Sequence, residues 1–334
     1  MRYTLVLALI SLSAAAGAQE WEDRQLFNEG GGDSALRIIS STDTNLFAPL
    51  IETFVTRNPD VAVEYLVTGT ADIDRRFRAS PGDFDIAISS AMDLQLKLAN
   101  DGFALPLEDI EHPAWAEWRK SLFAFTSEPA AIVVNREAFD GHPIPQSRQE
   151  LIEALRARPE IFHDRIGTYD VRRSGLGYLF ATQDARASET FWRLMEVMGA
   201  LDARLYSSSS QMIEDLSNGT IIVAYNVLGS YAEPRAARDD VLEIVLPSDF
   251  PTTMMRTALV SQETTQAGAA EAFIQFLVSY QWEDDGEART LPPLSEEDAI
   301  ERATIGLEPA LLAFLDTLKR DKFLTEWENA LIQD

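Results

Sequence analysis

Hydroxyl side chains recur in this chain where short apolar runs give way to helical patterns. Ser40, Ser41, Thr42, Asp43 and Thr44 follow the apolar run 36–39. Thr68-Gly69-Thr70 follows the β-branched run 61–67, and Ser89-Ser90 follows FDIAI at 84–88. Further on, Arg172-Arg173-Ser174-Gly175, then Ser207 to Ser210, then Asn226 to Tyr231 occupy the same kind of position. A small hydroxyl at such a junction has two uses. It can cap the helix, or, with the free N–H groups of the first helical turn, it can hold an anionic or polar ligand beyond the strand end. Arg172 and Arg173 either supply guanidinium forks to an oxyanion or form an exposed salt-bridged pair. The candidate ligand contacts are therefore Ser41, Thr42, Ser89 and Ser90 from the first half. The second half offers Arg172, Arg173, Ser174, Ser208 and Ser209, with Tyr225, Asn226 and Tyr231 shaping the pocket.

Other chemistries lack their residues. The chain has no cysteine, which removes disulfides, thiolate metal sites and cysteine nucleophiles. His112, His142 and His163 sit in polar, proline-flanked or helix-terminal surroundings that suit exposed residues. No HExxH, G-x-S-x-G, Walker loop or G-x-G-x-x-G is present. Asp85, Asp93, Asp170 and Asp184 could be paired as glycosidase acids. With 54 acidic residues in the chain, such a pairing has no specificity. No cofactor is implied. The net charge of −26 argues against nucleic acid as a partner and disfavours anionic membrane surfaces. It leaves the ligand's charge open, since a basic pocket can lie within an acidic surface.

The elements that must position these turns follow from periodicity. Leu46 and Phe47, Leu50 and Ile51, Phe54 and Val55 mark one helical face after the first turn, with Pro49 as a flaw in the pattern. Three consecutive units of strand, polar turn and helix indicate an α/β fold with a largely parallel sheet. HPAWAEW at 112–118 reads as a short helix, 130–134 as a strand, and the proline-rich turn 141–145 as the crossing into a second lobe of the same grammar. TTMMRTALV at 252–260 reads as a strand returning to the first lobe, 281–293 as a surface loop, and 309–318 and 321–332 as terminal helices.

Length and hydrophobic content, 334 residues and 46%, suit about two globular domains. Arg2, the apolar core 5–12 and Ala16-Gly17-Ala18 have the form of a secretory signal cleaved after Ala18, too short to span a bilayer. The expected organisation is a signal peptide at 1–18, a flexible acidic and glycine-rich leader at 19–33, lobe one at 34–134 and 248–334, and lobe two at 135–247.

These features resemble a known family. IISSTDTNLFAPLIETFVTRNP, FDIAISSAMDLQLKLANDG, TYDVRRSGLGYLFATQD, YNVLGSYAEPRAA and TALVSQETTQAGAAEAFIQFLVS are similar to segments of periplasmic solute-binding proteins of ABC transporters. The likeness covers residues 34–280 and points to the branch containing ferric-ion, hexose-phosphate and phosphoglycerate binders. It implies a type 2 periplasmic-binding fold in which two lobes close on a solute, and a monomeric periplasmic protein that delivers it to a permease. A sensing role beside a membrane kinase is the alternative, and an enzyme is third for want of catalytic motifs. Ferric members use adjacent tyrosines after the strand matching 221–225, often with a histidine from the first turn. Here that region reads Gly229-Ser230-Tyr231, Tyr225 lies earlier and the first turn has no histidine. Hydroxyl turns with Arg172 and Arg173 fit a phosphorylated or carboxylated solute better.

Overall fold

The computed structural model of the chain describes residues 21–32, 35–280, 290–294 and 304–333. The expected signal peptide and most of the expected loop at 281–293 lie outside the described residues.

The first half builds one sheet. Its elements are β1 (Asp23–Phe27), β2 (Ala35–Ser40), α1 (Thr44–Arg57), β3 (Ala62–Val67), α2 (Thr70–Ala79), β4 (Ile86–Ser89), α3 (Met92–Asn100), β5 (Glu117–Trp118) and β6 (Leu122–Ala124). β2 lies between β3 and β4 and is parallel to both, so the three hydroxyl turns emerge at one edge. Leu36, Ile38 and Ile39 are buried because helices cover the sheet, which is why the run is continuous rather than alternating. α1 buries Phe47, Leu50, Ile51 and Phe54 and runs on through Pro49, which sits on its exposed side. The apolar face outweighs the one lost helix hydrogen bond.

The second sheet contains β7 (Glu128–Asn135), β8 (Ile166–Tyr169), β9 (Arg204–Tyr206), β10 (Val223–Leu228) and β11 (Leu242–Val245), in the order β11-β7-β10-β8-β9. Between and after them run α4 (Arg148–Ala157), α5 (Pro159–Phe162), α6 (Gly175–Ala187), α7 (Thr190–Ala200), α8 (Ser209–Ser217) and α9 (Gly229–Ala236). β8 is parallel to β9 and β10, so its turns also leave from one edge. The chain returns through β12 (Thr253–Met254), which pairs with the start of β7, and β13 (Thr257–Val260), which inserts between β4 and β6. α10 (Ala267–Tyr280) covers the first sheet, and a 3-10 turn (Pro309–Leu315) leads to α11 (Thr317–Leu331).

Several expectations need correction. The stretch 19–33 is not simply a leader. Asp23–Phe27 pairs antiparallel with β3 and covers the edge of an apolar strand that would otherwise be open. The crossing between lobes comes earlier than residue 135, because β7 is a member of the second sheet, held by β10 and β11. HPAWAEW forms a turn and the short β5, not a helix. A hairpin with positive φ at Arg119 and Lys120 joins β5 to β6. The half-buried His112 donates Nε2–H to the Ala124 carbonyl at 2.7 Å rather than facing solvent. The final helix does not belong with lobe one. α11 packs Phe323 and Trp327 among Phe191, Leu194 and Met195 of α7. Gly199 permits the approach, since a Cβ there would lie 2.5 Å from the Ala330 carbonyl oxygen.

Candidate ligand-binding cleft

The polar turns of the two sheets face each other across a small, partly open cavity of about 30 Å³. From the first lobe come Ser41, Asp43, Thr68, Gly69, Thr70 and Ser90; from the second, Tyr169, Ser174, Leu176, Ser207, Ser208, Ser209, Leu228 and Tyr231. Glu22, just before β1, and Arg256, between β12 and β13, complete the wall. Residues at the starts of helices recur: Asp43 precedes α1, Gly69 α2, Ser174 α6, Ser208 α8 and Leu228 α9, of which Ser174 and Ser208 cap their helices with the side chain. Several parallel-strand ends thus bring helix N-termini to one cavity, a surrounding that favours negative charge.

Many of the hydroxyls hold the turns in shape. Ser174 Oγ accepts from Gly177 N at 3.1 Å and Ser208 Oγ from Gln211 N at 3.4 Å, both as helix caps. Ser41 Oγ accepts from Ser90 N at 3.2 Å, tying two turns of the first lobe. Ser209 Oγ shares a 2.5 Å hydrogen bond with Tyr169 OH. Several contacts join the lobes. Thr70 Oγ1 accepts from the Gly175 and Leu176 amides at 2.8 and 3.2 Å. Tyr231 OH donates to Asp43 Oδ1 at 3.4 Å.

The cation of the cleft is Arg256, which exposes no side-chain surface. Its Nε and Nη2 donate to the two oxygens of the equally buried Glu128 at 2.9 Å each, and Nη1 donates to Thr42 Oγ1 at 2.6 Å. Burial works against its charged form, but the Glu128 charge more than offsets this and its pKa stays above the ordinary arginine value. Glu128 also accepts from Thr126 at 2.8 Å and from Ser230 at the start of α9. The pair therefore ties the first turn of lobe one to the crossing strands and to lobe two. Two carboxyls face the cavity. Burial raises the pKa of Asp43, against the hydrogen bonds of Ser210 and Tyr231. Burial also raises that of Glu22, with the charges of Asp43 and Asp72 adding to it.

Of the expected contacts, Ser41, Ser90, Ser174, Ser208, Ser209 and Tyr231 line the cavity. Thr42 is buried behind it as the acceptor of Arg256, and Ser89 Oγ accepts from Ala91 N at 3.1 Å as part of the turn. Arg172 and Arg173 do not reach the cavity. Arg172 turns back on Asp170, with two bonds of 2.8 Å, and meets Glu328 of α11 at 3.4 Å, while Arg173 is exposed. Tyr225 and Asn226 belong to a buried network within lobe two. Tyr225 OH donates to Asp184 at 2.6 Å and accepts from Arg148 at 2.7 Å, and Asn226 Nδ2 donates to Asp184 at 2.8 Å. Sequence reading missed Glu22, Asp43, Thr70, Tyr169, Ser207 and Arg256 as cleft residues. A signal existed for Arg256, a lone charge in an otherwise apolar strand pattern, and for Thr68-Gly69-Thr70, a hydroxyl turn like the others. None existed for Glu22.

Two mixed α/β lobes joined by crossing strands, with helix starts converging on the cavity between them, define the two-lobed periplasmic binding fold. The sequence match agrees. Residues 95–305 fit the family model of the bacterial extracellular solute-binding proteins, and the chain belongs to that family. A solved substrate binding protein of an ABC transporter from Agrobacterium tumefaciens is 33% identical, with a TM-score of 0.83 over 92% of this chain and 98% of that one. AfuA from Actinobacillus pleuropneumoniae, solved with fructose-6-phosphate bound, is 14% identical, with a TM-score of 0.73 over 91% and 100%. Iron-bound HitA from Pseudomonas aeruginosa is 12% identical, with a TM-score of 0.63 over 89% and 99%. No match was found among curated proteins. Among the described residues no helix is long and apolar enough to cross a membrane.

Proposed function

We propose that this solute-binding protein captures a small solute bearing an oxyanionic group, phosphate or carboxylate, and hands it to the permease of an ABC transporter. The observation that carries the reading is the convergence of helix N-termini from both lobes on one cavity. Free N–H groups and hydroxyls there donate to oxygen, and closure strengthens each bond by excluding water. The anion is held without Arg172 and Arg173, and Arg256 acts mainly through Thr42 because Glu128 already takes its charge. Asp43 and Glu22 accept a proton readily, which suits a hydroxyl-bearing or singly protonated oxyanion. They also favour a second reading, a solute carrying an ammonium group. Ferric ion fits less well. Tyr225 is committed to the Arg148–Asp184 network, and burial raises the Tyr231 hydroxyl pKa well above its ordinary value, opposing a tyrosinate ligand.

A thermal-shift panel of sugar phosphates, phosphonates, di- and tricarboxylates, amines, neutral sugars and ferric ion tests this. Ligand at 100 times its dissociation constant adds about 2.7 kcal/mol, which raises Tm by roughly 5–10 °C for lobes of this size. Shifts with amines alone establish the second reading, and shifts with neutral sugars or ferric ion alone refute both. Export by a signal cleaved after Ala18 belongs to the same proposal, and a mature N-terminus at Gln19 is its expected readout.

A further inference from the structure

The cavity is small for a whole solute. Its 30 Å³ is two or three times the roughly 10–15 Å³ that one water needs by the same measure. Ligand pockets in proteins are commonly of several hundred Å³. Beside it, between α1 of lobe one and α8 and α9 of lobe two, lies an open mouth of about 540 Å³. The two spaces share Asp43 and Tyr231, whose contact stands between them. Leu46, Ile213 and Pro234 give the mouth an apolar wall. Arg235 and Arg238 stand at its rim, exposed and near the end of α9. Neither is in an ion pair among the described residues, although acidic residues outnumber basic ones 54 to 28.

We infer that the solute is longer than the small cavity and carries a second acidic group, which passes the Asp43–Tyr231 contact and lies in the mouth against Arg235 and Arg238. The oxyanion head sits at the helix starts, a short carbon scaffold lies along Leu46, Ile213 and Pro234, and the two guanidiniums hold the far acid by charge-assisted bonds. This inference rests on the oxyanion reading of the cleft.

The test uses alkylphosphonates and ω-carboxyalkylphosphonates of matched chain length, with inorganic phosphate, measured by calorimetry. The proteins are the parent, the Arg235→Gln/Arg238→Gln variant, and Arg173→Gln as a control for loss of positive charge away from the cleft. The expected result is a chain length at which the added carboxylate tightens binding by about tenfold or more. That gain disappears in the double variant and survives in the control, while phosphate binds all three proteins alike. If the carboxylate gives no gain at any length, or the double variant keeps it, the inference is wrong and the oxyanion reading stands. If the parent binds neither phosphate, nor any phosphonate, nor mono- and dicarboxylates of the same chain lengths, the oxyanion reading fails and takes the inference with it.

Discussion

Removing Arg256 is the sharpest test of how the lobes are held about the cleft. In the Arg256→Met variant Glu128 keeps Thr126 and Ser230 as hydrogen-bond partners but loses both guanidinium bonds and its only counter-ion contact among the described residues. Neither side chain exposes surface, so solvent cannot replace what is lost. Breaking a buried pair from one side costs about 3–5 kcal/mol, or roughly 6–20 °C in Tm for lobes of this size. The Arg256→Met/Glu128→Gln variant carries no buried charge here; its Gln oxygen still accepts from one of the two hydroxyls, and its amide N–H donates to the other. It should recover more than half of the deficit, because most of the single variant's cost is the stranded carboxylate. Urea unfolding and calorimetric melts of all three proteins measure the recovery. A double variant no more stable than the single one would refute the argument that Arg256 works by compensating Glu128.

Other consequences are as direct. A Cβ on Gly175 would lie 2.9 Å from Leu94 Cδ1, 3.1 Å from Ala91 Cβ and 3.2 Å from Thr70 Oγ1, all in lobe one. Gly175→Val should therefore hinder closure, weakening solute binding by about tenfold or more while the melt without solute changes little, with small-angle scattering showing no compaction on adding solute. Thr70→Val strands two buried amides, each worth about 1–3 kcal/mol, and should lower Tm as well as affinity. Burial pushes the Asp93 carboxyl up to about 7 from 3.8, so the folded state holds a proton that the unfolded state releases and the parent loses stability as pH rises from about 4 to 7. Asp93→Asn, which keeps the acceptor for Leu94 N, should gain Tm relative to the parent at pH 8 and little at pH 4. An equal difference at both pH values would count against the shift. Arg172→Ala and Arg173→Ala should bind any anionic solute as the parent does. A loss above about threefold in either would return those arginines to the cleft.

The periodic features of this chain were legible because they are local. Leu36, Ile38 and Ile39 must be buried wherever the strand goes, and the pairs from Leu46 to Val55 can share a face only as a helix. The repeated hydroxyl junctions follow the same logic, since capping requirements act within four residues. From these came the α/β class and six of the candidate cleft residues, among them Ser41, Ser90, Ser174 and Ser208, while the family came from the resemblance of whole segments. The rest depended on which groups meet across the fold. Arg172 looked like an anion ligand beside a helix start, but Asp170 two residues away is nearer to its fork than any cavity group. Tyr225 and Asn226 follow a strand as a ligand-binding turn should, yet β10 continues to Leu228, past Asn226 at a φ of 63°, and leaves them facing Asp184 inside lobe two. Arg256 enters the site only because β12 and β13 bring it between Glu128 and Thr42, which lie 128 and 214 residues earlier. Glu22 enters only because β1 pairs with β3. Charge and hydrogen bonding are satisfied by whatever the tertiary structure places within about 3 Å, and sequence spacing does not encode that distance.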